Sequence, residues 1–137
     1  KKVILLVLMG ILLFSACSAS DNAGSIDWLH SLDEGLQAAQ QQNKPLMVDF
    51  FTEWCGFCNK LNRETFSSAQ VSSLAVDFIC VKVDADNDRK ATEEYGIRGF
   101  PTVIFLDAQG KEIGRVIGFR PADVFASEMK KIIDSGK

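Results

Sequence analysis

The chain has 137 residues, of which 47% are hydrophobic and 24% charged, so its composition is that of one globular domain rather than a disordered segment. The formal net charge of −3 argues against nucleic acid as a partner, because phosphate binding requires a basic surface. One histidine is too few for a multi-histidine metal site, and four cysteines are too few and too unevenly spaced for a disulfide-stapled miniprotein.

The N-terminal residues have the pattern of an export signal. Two lysines precede an uncharged stretch, residues 3–14, which is too short to span a bilayer because a span needs about 20 residues. Small residues and then Cys17 follow, an arrangement that resembles a bacterial lipoprotein signal. We therefore predict a signal peptide over 1–16, a lipidated Cys17 that opens a flexible tether over 17–25, and a folded domain over 26–137. The alternative is plain secretion, with Cys17 incidental.

The rest of the chain predicts alternating strands and helices. A short edge strand at Ile26–Leu29 precedes a helix that begins in a capping box, Ser31–Glu34, and runs to about Asn43. Leu46–Phe51 is apolar on both faces, which indicates a central strand covered by helices on both sides. The pattern then predicts a long helix from Gly56 to about Ser73, a strand at Phe78–Val83, a helix at Asp88–Tyr95, two hairpin strands at Thr102–Leu106 and Lys111–Ile117, and a helix from Pro121. This order is an α/β three-layer sandwich.

A Cys-x-x-Cys motif, Cys55-Gly56-Phe57-Cys58, falls between a predicted strand and a predicted helix. Unpaired backbone N–H groups and the positive end of the helix dipole favour an anion there, so we expect the pKa of the Cys55 thiol to lie below its usual value. Cys58 lies one helical turn further in, close enough for a disulfide. We expect Cys55 to attack a substrate and Cys58 to resolve the product, and we expect no bound metal. Cys80 lies among apolar strand residues and is predicted to be a core residue.

This motif and its surroundings resemble the thioredoxin family. The segment Phe50 to Cys58 and, further on, Tyr95-Gly96-Ile97-Arg98-Gly99-Phe100-Pro101-Thr102 carry the resemblance, which covers about residues 44 to 135. It implies a thioredoxin-like fold, a central mixed sheet flanked by helices. It also implies a protein-disulfide oxidoreductase whose redox-active disulfide, Cys55–Cys58, makes another cofactor unnecessary.

The resemblance also implies roles for individual residues. Pro101 matches the family's cis-proline, which lets the neighbouring backbone pair with an extended substrate. Asp49 matches the family's buried carboxylate, and a charge inside a buried strand is costly unless it has a partner or a function. Its expected raised pKa suits a base that takes the Cys58 proton. Lys82 matches the lysine that lies near this carboxylate. We expect the substrate to contact five further residues, Trp54, Gly56, Phe57, Phe100 and Gly118.

Two departures from cytosolic thioredoxins bear on function. Phe57 stands where proline is usual, and the histidine of strongly oxidising members is missing from the pair, which favours a reductase. Residues 62–71 interrupt the helix and are similar to the C-terminal domain of periplasmic electron-relaying thiol–disulfide interchange proteins. We therefore expect a monomer in the bacterial cell envelope, on the periplasmic side, that exchanges electrons with protein substrates and a membrane electron donor. A disulfide oxidase or isomerase, and a Cu(I)-holding binding module, are the alternatives.

Overall fold

The computed structural model describes residues 24–136, so the predicted signal peptide, Cys17 and most of the predicted tether lie outside the described residues. The elements, in chain order, are β1 (Trp28–Leu29), α1 (Leu32–Gln42), β2 (Leu46–Phe51), α2 (Gly56–Leu61), a π-helical segment (Asn62–Phe66), α3 (Ala69–Ala75), β3 (Ile79–Asp84), α4 (Arg89–Glu94), β4 (Thr102–Leu106), β5 (Glu112–Ile117) and α5 (Ala122–Ser135).

The five strands form one mixed sheet in the order β1-β3-β2-β4-β5. β3 pairs in parallel with both β1 and β2, whereas β4 runs antiparallel to β2 and β5. The register between β2 and β3 places Asp49 directly beside Lys82. The α/β fold class predicted from the sequence is confirmed.

Apolar side chains cover both faces of the sheet. Successive residues of a strand point to opposite faces, and β2 is apolar at every position except Asp49. Leu46, Val48 and Phe50 join a core with residues of α1 and α4. Met47 joins a second core with residues of α2, the π-helical segment, α3 and α5. By the same alternation, Asp49 faces this second layer of helices. Within residues 24–136, no helix has both the length and the apolar composition that crossing a membrane requires.

Local signals set most helix boundaries as predicted. Ser31 Oγ accepts the Glu34 N–H at 3.3 Å at the start of α1, and Asn43 ends that helix in a left-handed conformation. The helix predicted from Gly56 to about Ser73 is not continuous, because the chain there divides into α2, a wide π-helical turn and α3, and the interruption expected within residues 62–71 is present. Ser68 causes the second break, since its Oγ caps α3 by accepting the Val71 N–H at 3.2 Å.

Gly35 allows α1 to lie directly on the sheet, which generates a stability prediction. A Cβ atom at this position would collide with Cγ2 of Val81, a stiff β-branched side chain that is fully buried in β3. We expect Gly35→Ala to lower the free energy of unfolding by about 1–3 kcal/mol, although the helix propensity of alanine alone would raise it by up to ~1 kcal/mol.

Denaturant unfolding measures this change, with Gln40→Ala on the exposed face of α1 as the matched control. We expect the control to change the free energy of unfolding by less than about 0.5 kcal/mol. An unchanged or increased stability of Gly35→Ala would contradict the close packing of α1 against β3.

Candidate active site

The two cysteines of the motif lie where β2 gives way to α2. Cys55 is the N-cap residue of α2, with extended backbone angles of φ −83° and ψ 106°, and it forms a disulfide bond with Cys58. Cys55 Sγ accepts a hydrogen bond from the Cys58 backbone N–H at 3.1 Å. Cys55 is 7% exposed and Cys58 2% exposed, so Cys55 is the more accessible residue of the pair. The arrangement can exchange a disulfide with an external thiol at Cys55.

Two large apolar side chains beside the disulfide are open to solvent. Trp54 is 72% exposed and Phe57 63% exposed, in contrast to the buried cysteine that follows each of them. The Trp54 ring lies edge-on to Phe100, with 6.2 Å between the ring centroids. The Trp54 indole N–H donates to Asp86 Oδ2 at 3.0 Å, which holds the exposed ring in place. The sequence pointed to Trp54, Phe57 and Phe100 but gave no indication of Asp86.

The segment around Pro101 approaches the same region. The Phe100–Pro101 peptide bond is cis, as the resemblance implied. The Pro101 carbonyl accepts the Gly118 N–H at 2.8 Å. This hydrogen bond joins the residue just before β4 to the residue just after β5. Gly118 has a φ of +80°, a conformation that favours glycine, and the space that a Cβ would occupy is nearly empty. Because Phe100 contacts Trp54, the Pro101 and Gly118 backbone lies on the side of the molecule that carries the disulfide.

Asp49 and Lys82 form a buried ion pair beneath α2. Asp49 is 1% exposed, and its Oδ2 accepts a hydrogen bond from Lys82 Nζ at 2.7 Å. Burial raises the pKa of the Asp49 carboxyl, and the charge of Lys82 and its hydrogen bond act in the lowering direction. The other carboxyl oxygen, Oδ1, has no hydrogen-bond partner among residues 24–136. A buried carboxyl with a raised pKa and an unused oxygen can accept a proton.

Sequence reasoning missed the other neighbours of Lys82. Its Nζ also donates to Asn62 Oδ1 at 2.8 Å and lies over the rings of Trp28, Phe51 and Phe66, at 4.7, 5.2 and 5.1 Å from their centroids. The one available signal was that Asn62 follows Cys58 by four residues, the spacing that brings two side chains to the same face of a helix. Asn62 therefore connects the cysteine-bearing helix to the ion pair.

The other two cysteines do not belong to the redox-active pair. Cys80 is free and buried, and burial, followed by the charge of Asp27, raises the pKa of its thiol to about 12, which makes it a core thiol. Cys17 lies outside the described residues. Within residues 24–136, no group of three or more histidine, cysteine, aspartate and glutamate side chains is placed to hold a metal ion.

Comparison with known proteins connects this site to a family. A family model described as a thioredoxin-like domain matches residues 32–133. The chain is 30% identical over 139 residues to the thiol:disulfide interchange protein DsbD of Ralstonia nicotianae, a match that covers 95% of this chain and 23% of that protein. It is 37% identical over 112 residues to DsbD of Pseudoalteromonas atlantica, covering 77% of this chain and 19% of that protein. The chain thus spans about a fifth of the length of these curated relatives.

Solved structures extend the comparison to whole small domains. A thioredoxin from Thermus thermophilus is 30% identical, with a TM-score of 0.74 over 82% of this chain and 90% of that chain. The DsbH oxidoreductase, at 24% identity, shares the fold with a TM-score of 0.71 over 80% of this chain and 85% of that chain. With the family match over residues 32–133 and a Cys55–Cys58 pair at disulfide distance, these findings establish that the chain belongs to the thioredoxin-like family and is a thiol–disulfide oxidoreductase.

Proposed function

We propose that this oxidoreductase reduces disulfide bonds of other proteins in the bacterial cell envelope. The observation that carries the proposal is the Cys55–Cys58 disulfide at the start of α2, in which Sγ of the more accessible residue, Cys55, receives a backbone N–H. In the reduced protein the same N–H stabilises a thiolate at Cys55, because a hydrogen bond to the charged form lowers the pKa of a thiol. The thiolate is the form that attacks disulfides.

The reaction consists of two exchanges. Cys55 thiolate attacks one sulfur of the substrate disulfide, which forms a mixed disulfide and releases the other substrate sulfur as a thiolate. Cys58 then gives its proton to Asp49 and attacks Cys55 Sγ, which releases the second substrate thiolate and forms the Cys55–Cys58 disulfide. Two electrons pass from the cysteine pair to the substrate, and the pair itself is the only redox group required. A thiol-bearing electron donor at the membrane returns the pair to its dithiol form.

The surface around the disulfide supports a protein substrate. Trp54 and Phe57 offer exposed apolar area on either side of Cys55, and apolar rings of this kind anchor protein partners. The backbone at Pro101 and Gly118 has no bulky side chain at Gly118 to keep an extended peptide away, so the substrate backbone can align there as an added strand. Both features suit an extended segment that carries a disulfide.

The direction of electron flow follows from the groups that stabilise the Cys55 thiolate. A strongly oxidising pair holds its reduced form in an exceptionally stable state. Here the dipeptide between the cysteines is Gly56-Phe57, which adds no positive charge to stabilise a thiolate. The resemblance of residues 62–71 to electron-relaying interchange proteins supports the same direction.

Partner trapping tests the proposed reaction. We expect Cys58→Ala to accumulate mixed disulfides between Cys55 and envelope proteins, and its turnover of a disulfide substrate such as insulin to fall to the uncatalysed rate, because the resolving thiol is gone. Gel mobility with and without reductant, followed by mass spectrometry, measures the adducts. Cys55→Ala should trap nothing, and Cys80→Ala should behave like the unaltered protein because this buried thiol lies outside the pair. Equal trapping by Cys55→Ala would contradict the assignment.

The reduction potential tests the direction. We expect the Cys55–Cys58 couple to have a potential near that of thioredoxin, about −270 mV, since little positive charge favours its reduced form. Equilibration with glutathione buffers and alkylation of the free thiols measures it. A potential near −120 mV, the range of a dedicated oxidant, would overturn the reductase and favour the disulfide oxidase instead.

The lipoprotein-like pattern at the N-terminus generates a separate prediction, that Cys17 carries a membrane anchor. We propose that the chain is lipidated there and held on the periplasmic side of a membrane, which the lipoprotein-like pattern of residues 1–17 supports. We expect labelled palmitate to enter the full chain and to be lost with Cys17→Ser, which should also move the protein from the membrane to the soluble fraction. A membrane fraction unchanged by Cys17→Ser would contradict the anchor.

A further inference from the structure

The ammonium group of Lys82 is enclosed by neighbours from three elements, β1, β2 and the π-helical segment. Asp49 and Asn62 accept its hydrogen bonds at 2.7 and 2.8 Å, and the rings of Trp28, Phe51 and Phe66 lie within 5.2 Å of Nζ. The Lys82 side chain is 14% exposed. An ammonium group has three N–H donors, so two of them are committed to side-chain oxygens from different elements.

These neighbours stabilise the positive charge without neutralising it. The aromatic faces attract a cation through their quadrupoles, at distances below the usual limit of about 6 Å. The Asn62 oxygen is a neutral acceptor, so it fixes the position of the ammonium and leaves Asp49 as the one carboxylate within residues 24–136 that is ion-paired with it. The position of the charge relative to Asp49 therefore depends on Asn62.

We propose that Asn62 is a positioning residue, which holds Lys82 against Asp49 and thereby sets the pH at which Asp49 accepts the proton of Cys58. The proposal deepens the proposed reaction and rests on the role given there to Asp49. In the proposed role, Asn62 acts through its hydrogen bond to Lys82 and not through a contact with the reacting sulfurs.

The surroundings of Lys82 determine the direction of the effect. A partly open cavity of about 380 Å³ adjoins the lysine, and its lining includes His30, Asp84 and Asp88. Arg63 and Glu64, beside Asn62, are exposed. Two carboxylates thus border the same cavity as Lys82. Without the Asn62 acceptor the flexible lysine side chain is held by one oxygen instead of two, so we expect its ammonium to lie further from Asp49 on average, which would raise the pKa of Asp49 because its stabilising cation would be more distant.

The experiment measures the pKa of Asp49 and the resolving step on the reduced protein. A carbon NMR titration of the labelled Asp49 carboxyl gives the pKa directly. A mixed disulfide between Cys55 and thionitrobenzoate gives the rate of attack by Cys58 as a function of pH, from the absorbance of the released thionitrobenzoate. Neither measurement needs a protein substrate, so they test Asn62 even if the chain fails to reduce protein disulfides.

We expect Asn62→Ala to shift the Asp49 titration and the midpoint of the rate profile upwards by about one pH unit, so that resolution at neutral pH slows by up to ~10-fold. Asn59→Ala is the matched control, because Asn59 is exposed on α2 and should leave both midpoints unchanged. Asp49→Asn should remove the midpoint that follows the Asp49 titration and leave a profile governed by the ionisation of the Cys58 thiol itself.

Asn62→Leu separates positioning from a merely structural role. It keeps about the same side-chain volume but removes the accepting oxygen without adding a charge, so we expect the same upward shift of the Asp49 midpoint here. This variant also decides the matter if Asn62→Ala does not fold. Midpoints within about 0.2 units of the unaltered protein in the folded Asn62 variants would overturn the proposal, because that change is under 0.3 kcal/mol at the Asp49 carboxyl.

Discussion

The register between β2 and β3 is the constraint on which the arrangement of the site depends. Parallel pairing sets Asp49 beside Lys82, so a carboxylate inside the sheet has a cation 2.7 Å away. The same two strands end at Phe51 and Asp84, and the segments that follow them bring Trp54 and Asp86 into hydrogen-bond contact. A slip of one residue would turn Asp49 to the opposite face and would break both contacts.

The ion pair beneath α2 is better explained by chemistry than by stability. Burial raises the pKa of Asp49 although Lys82 opposes this shift, so desolvation outweighs the attraction between the two charges. A folded-state pKa above the unfolded value means that the stability Asp49 contributes is greatest at low pH and is lost as the pH rises through the folded value. Well-packed apolar residues in place of Asp49 and Lys82 would avoid this loss of stability at higher pH. A carboxyl whose pKa is strongly perturbed is, by contrast, typical of a functional group, which is consistent with the proposed role of Asp49 as a proton acceptor.

The sequence was most informative where one motif carries the chemistry within a few residues. Cys55, Cys58 and Pro101 could be located because their types and spacing match a family pattern, and Asp49 was conspicuous as a charge in an apolar run. Asn62 and the aromatic rings around Lys82 could not be located, because they come together only when separate elements fold. The apolar spacing of residues 56–73 fits one α-helix, and serine side chains such as Ser68 are compatible with both a helix interior and a cap, so only the family resemblance of residues 62–71 indicated an interruption.

The π-helical segment that breaks this helix links the two halves of the site. Asn62 holds the ammonium beneath the cysteine-bearing helix, whereas Thr65 Oγ1 donates to the Arg120 carbonyl at 2.5 Å on the segment after Gly118. Lys60, just before it, lies over the Phe119 ring at 4.4 Å from its centroid. One wide turn thus contacts both Lys82, which we propose supports proton transfer, and the segment after Gly118, which we propose lies beside the substrate. Wide turns of this kind are common at functional sites, and the contacts of this turn give that tendency a physical reason here.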